Sequence, residues 1–127
     1  MSRPFRPHIA ISLGELLDTM TFMLLCSPKF LDDSGYFPGR NLETSFYGLN
    51  ESLRRLQPQL GEALYAKLTA MSDQMRAYFE ADPEQTTGET RKGKDLVYDM
   101  EDLIKARAAE LKAAGQLWQP ESSYDGK

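Results

Sequence analysis

Apolar residues recur at intervals of three and four along most of this chain, beginning with Leu13, Leu16, Leu17, Met20 and Leu24. That spacing gathers them on one face of an α-helix. Ser12, three residues ahead of Glu15, marks the start, because a serine oxygen and a glutamate carboxylate can each take up a free N–H of a first turn as a capping box. Phe22, Met23 and Leu25 carry the apolar character around the second half, which predicts a central helix buried nearly all round. Pro28 ends it. Upstream, Pro4 and Pro7 exclude helix, and the segment reads as an extended arm lying across the body through Phe5, Ile9 and Ile11.

A second helix follows from Leu42, Phe46, Leu49, Leu53 and Leu56. Pro58 suits a first turn better than a helix interior, so a break is expected at Gln57–Pro58. Leu60, Leu64, Leu68, Met71, Met75 and Phe79 then carry a third helix toward Ala81, with both methionines continuing the core stripe. After the connector ADPEQTTGE, Thr86 and Glu89 offer a second capping box. The fourth helix packs through Leu96, Met100, Leu103, Ile104, Ala108 and Leu111, and Gly115 is placed to cap its end. Strand-like alternation of β-branched residues is missing, and the four-three spacing is interrupted at Pro58, too soon for a long coiled-coil rod. The reading is all-α: one domain over 1–127, a compact bundle of about four main helices with its core over about 12–115, an extended N-terminal arm and a polar tail over 116–127.

Size and charge narrow the function. The 127 residues suffice for a core without metal or disulfide staples, and a net charge of -4 argues against coating nucleic acid. The single cysteine, Cys26, allows no internal disulfide and reads as a core hydrophobe in a cytoplasmic protein. Glu15 and Asp18 interrupt what would be a signal-peptide core, and the apolar run Phe22 to Cys26 is far too short to span a bilayer. Neither nucleic acid nor membrane is an expected partner.

The stretch GETRKGKD, Gly88 to Asp95, has glycines and a lysine at the spacing of a phosphate-binding loop. That loop needs a preceding strand and a Ser or Thr after the lysine, where Asp95 stands. It reads instead as a solvated helix start with Arg91, Lys92 and Lys94 exposed; anion binding at the helix N-terminus is the alternative. His8, the only histidine, sits in the arm with no acidic partner evident and reads as a surface or packing residue. A nucleophile–base pair and a Glu-x-x-His metal motif are both lacking, so no catalysis, cofactor or metal is expected.

Two features point to binding. Asp95, Asp99 and Asp102 recur by four and three, lining one stripe away from Met100 and Ile104. Such a stripe is either a solvated helix face favoured by the helix dipole or a contact strip for a basic partner. The connection GYFPGRN is long for a simple helix link. Its Tyr36, Phe37 and Arg40 either dock back onto the bundle or serve as interface anchors, being the residue types that dominate binding energy.

In this overall character, small, acidic and helical without catalytic groups, the span from Ser12 to Gly115 resembles an immunity protein of a bacterial toxin–immunity pair. The resemblance implies a non-catalytic inhibitor that occludes the active site of a cognate toxin. The expected contact residues are Tyr36, Phe37, Arg40, Asp95, Asp99 and Asp102. An adaptor or chaperone for a secreted or assembled partner is the alternative within the binding class. A small helical enzyme or sensor of a phosphorylated ligand, using Arg91, Lys92 and Lys94, is the alternative outside it.

Overall fold

In the computed structural model, residues 8–30 and 41–115 are described. Five helices form: α1 (Leu13–Cys26), α2 (Leu42–Arg55), α3 (Gln57–Leu60), α4 (Glu62–Ala81) and α5 (Glu89–Ala113). No strand occurs among the described residues. The all-α bundle expected from the periodicity is therefore the architecture, with four main helices and one additional single turn. Its expected arm and tail fall mostly on residues 1–7 and 116–127, outside the described residues.

Capping explains where the helices begin. Ser12 Oγ accepts the Glu15 N–H at 3.1 Å, as the sequence predicts. Glu15 reaches back one residue further than a capping box requires, its Oε1 accepting from the Ile11 N–H at 3.1 Å. Asn41 and Thr44 form a reciprocal box at the start of α2, each side chain accepting the other's N–H at 2.9 Å. The box expected between Thr86 and Glu89 does not form. Gly88 is the N-cap residue of α5, in a left-handed conformation with no side-chain cap bond. Asp82 replaces the box: its carboxylate accepts the N–H groups of Thr86, Thr87 and Thr90 at 2.7, 3.1 and 3.0 Å. A carboxylate is a stronger acceptor than a threonine hydroxyl and can serve several donors at once.

The break expected at Gln57–Pro58 lies at Leu56, and Pro58 sits in the first turn of α3. A second break, at Gly61, divides the helix that the Leu60–Leu64–Leu68 spacing predicts to be continuous. Gly61 has φ +87, a conformation that glycine adopts without the clash a side chain would bring.

Around the bundle, α1 packs on α2 and α5, and α4 packs on α2 and α5. Ala10, rather than Ile9 or Ile11, anchors the start of the chain: it is fully buried and its N–H donates to Ser52 Oγ on α2 at 2.8 Å. Ile11 is 39% exposed. At the other end of α1, Phe30 inserts between Phe46 and Phe79, with ring centroids 5.7 and 5.5 Å apart in edge-to-face contacts. Its φ of +60 is unfavourable for a bulky residue, and complete burial of the ring offsets that cost. Met75 is buried and Met71 packs against the core, as the stripe predicts.

Candidate partner-binding face

The stretch from Gly88 to Asp95 opens α5 and has no strand before it. Gly93 is buried against the Phe79 ring on α4, so this glycine serves helix packing. Lys92 pairs with Glu89 at 3.1 Å and lies 5.8 Å from the Tyr78 ring centroid. The hydrogen bond to Glu89, then that residue's charge, raises the Lys92 pKa. Arg91 faces Asp95 at 3.6 Å. Both cations are thus engaged by neighbours on their own helix, while Lys94 is half-buried.

Asp82 sits under the same connector, 2% exposed. Burial works against its charge, but the N–H groups of Thr90, Thr87 and Thr86 outweigh it and lower its pKa from 3.8 to about 2. Its oxygens are committed to these backbone donors, which makes it a cap for α5. At the N-terminal segment, His8 Nε2 lies 3.3 Å from Glu15 Oε1, so the acidic partner not evident from sequence is present. Cys26 is partly buried against the core at the end of α1. Among the described residues, no group of three His, Cys, Asp or Glu could hold a metal ion.

Asp95, Asp99 and Asp102 all lie on the solvent-facing ridge of α5, opposite the buried Val97, Met100 and Ile104. Tyr98 stands within this stripe, one turn from both Asp95 and Asp102. It is 53% exposed. Tyr36, Phe37 and Arg40 lie outside the described residues.

A second exposed apolar residue belongs to the same face. Thr21 Oγ1 on α1 donates to Glu101 Oε2 on α5 at 3.3 Å, and Lys29 pairs at 3.1 Å with Glu84 ahead of α5. These two links make α1 and α5 antiparallel. Leu25 is one turn beyond Thr21 on α1, and Tyr98 is one turn before Glu101 on α5, so the two stand at the same level. Leu25 is 77% exposed, which corrects the expectation that α1 is buried nearly all round. The core stripe of α1 is Leu13, Leu16, Met20 and Met23, and Leu25 falls off it. Helical position alone could have found Leu25; its neighbourhood with Tyr98 needed the fold. Ile11 and Tyr47, the other exposed large apolar residues among the described residues, lie on the N-terminal segment and α2.

Further along α5, one turn beyond Asp99 and Asp102, lies an open groove of about 440 Å³, where the first turn of α4 meets the C-terminal half of α5. Leu60, Leu64, Leu103 and Ala106 line it with Arg107. Arg107 spans the junction, its Nε donating to the Gln59 carbonyl at 2.8 Å and its guanidinium reaching Glu110 at 3.0 Å.

No helix among the described residues is long and apolar enough to cross a membrane. In comparisons with protein-family models, curated proteins and solved structures, no match to this chain is found.

Proposed function

We propose that the chain is a non-catalytic protein-binding inhibitor, a cytoplasmic immunity protein that neutralises a cognate bacterial toxin by covering its active site. The observation that carries the reading is the exposure of Leu25 and Tyr98 at one level of the α1–α5 face, beside Asp95, Asp99 and Asp102. Exposed large apolar residues rimmed by charge are the composition of a protein contact: an apolar centre excludes water and slows release, while charges steer encounter. An acidic rim suits a cationic cleft, such as one that holds nucleotides or nucleic acid. The small size, the net charge of -4 and the helical bundle are the features shared with immunity proteins.

The test is capture from the native cell with the wild-type chain and with the doubly altered Leu25→Ser, Tyr98→Ala chain as baits. The expected result is a partner retained stoichiometrically by the first and lost by the second. The purified partner should have an enzymatic activity that the wild-type chain abolishes. A partner that stays fully active in the complex would replace the inhibitor reading with the adaptor or chaperone alternative.

A further inference from the structure

We propose that the groove between α4 and α5 is the docking site of this chain's own C-terminal segment, with Trp118 as the inserted side chain. This inference does not rest on the inhibitor reading, because it concerns the chain's own C-terminal segment and no partner.

The groove walls are apolar, with Leu60 and Leu64 on one side and Leu103 and Ala106 on the other. Its volume of about 440 Å³ is ample for an aromatic side chain, and burying an indole removes about 150–250 Å² from water. Arg107 adds a flat cationic surface, 30% exposed, with the Nε and one terminal nitrogen already bonded. A guanidinium fixed in this way presents its face for stacking on an aromatic ring. Glu62 and Glu110 at the rim offer acceptors for an indole N–H, which must find a partner when buried.

The end of α5 identifies the occupant. The helix stops at Ala113, and Gly115 has φ +70 with its N–H donating to the Lys112 carbonyl at 3.1 Å. A left-handed residue just past a helix turns the chain off the helix axis. Twelve residues follow, 116–127, and Leu117 and Trp118 are the first apolar ones among them. Along α5, Arg107 is about 12 Å back from Gly115 at 1.5 Å per residue. Three residues reach at most about 10 Å, and the length of the indole side chain covers the remainder. Trp118 is thus the first large apolar side chain with the reach to enter the groove.

Because Trp118 is the only tryptophan, the full-length chain carries its own reporter. The experiment is steady-state fluorescence with acrylamide quenching on wild type, Ala106→Glu, Ala63→Glu and Ala77→Glu, with helix content followed by circular dichroism. Ala106 and Ala63 are exposed residues lining opposite sides of the groove, and Ala77 is an exposed residue of α4 outside it. The expected result is a blue-shifted, protected emission in wild type. It should move to the red with a several-fold rise in quenching in both groove variants and stay unchanged in Ala77→Glu. A fully solvated emission in wild type would overturn the proposal. So would a protected emission indifferent to both groove substitutions, or one equally sensitive to Ala77→Glu.

Discussion

Gly93 on α5 lies directly against the aromatic ring of Phe79 on α4, so close that a methyl group at position 93 would overlap three of the ring carbons. Phe79 in turn holds Phe30 and Phe46, so the glycine sets how near α5 approaches the aromatic cluster. Gly93→Ala gains about 1 kcal/mol of helix propensity. Overpacking a rigid ring costs about 1–3 kcal/mol and prevails. The expected outcome is a lower Tm for Gly93→Ala. Gly14, exposed in the first turn of α1 with only Ser12 Oγ at 3.9 Å from the position of a Cβ, should respond with the opposite sign. Thermal melts of the two variants side by side check this, and a stabilised Gly93→Ala would contradict the packing argument.

Asp82 should confer a pH dependence. Its folded pKa of about 2 lies below the ordinary 3.8, so the unfolded chain binds this proton more readily than the folded one. The resulting stability is complete above about pH 4, the unfolded value, and is lost as pH falls through about 2. Asp82→Asn removes the charge from the cap. The variant should melt below wild type at neutral pH, and the gap should narrow steadily between about pH 4 and 2. Denaturant midpoints across that range provide the measurement; a gap independent of pH would mean that the charge contributes nothing.

Ser52 joins the N-terminal segment to α2, accepting from Ala10 N–H and donating to the Gly48 carbonyl at 2.7 Å. Both Ser52 and Ala10 are buried. Ser52→Ala leaves a buried N–H without its acceptor, a loss of about 1–3 kcal/mol. Chemical denaturation should register that loss, and hydrogen exchange at Ala10 should rise to the rate of an open segment.

For the proposed partner face, truncation and charge reversal should separate kinetically. Tyr98→Ala should weaken binding by about 2 kcal/mol, mainly through faster dissociation, since it empties a desolvated contact. Asp99→Lys should slow association and weaken its dependence on salt. Both side chains are exposed on α5, so both variants should keep the wild-type Tm within about 0.5 kcal/mol of equivalent stability. Rates at two salt concentrations with the captured partner decide. Unchanged binding in both folded variants would remove this face from consideration.

Local patterns made much of this legible. Ser12 announces α1 because its acceptor serves an N–H three residues on, and Asp95, Asp99 and Asp102 read as exposed because Met100 and Ile104 orient the helix. The Gly61 break escapes such reading, since Leu60, Leu64 and Leu68 keep helical spacing across it. Asp82 is also hidden: it serves Thr90, eight residues away, through a connector whose path local spacing does not set. That Leu25 and Tyr98 stand at one level depends on two helices distant in sequence, and periodicity within either cannot reveal it.

The link from Thr21 to Glu101 closes a circuit of 80 residues, whereas Phe79 and Gly93 meet across one short connector. By chain-closure statistics the longer circuit costs about 1.5 kcal/mol more entropy. The α4–α5 contact is therefore the cheaper to close and the α1–α5 contact the costlier. Leu25 and Tyr98 come to the same level only once that costlier contact has closed. A ligand gripping both would act as a clasp on the finished topology, recognising chains that have completed folding and slowing their reopening by mass action.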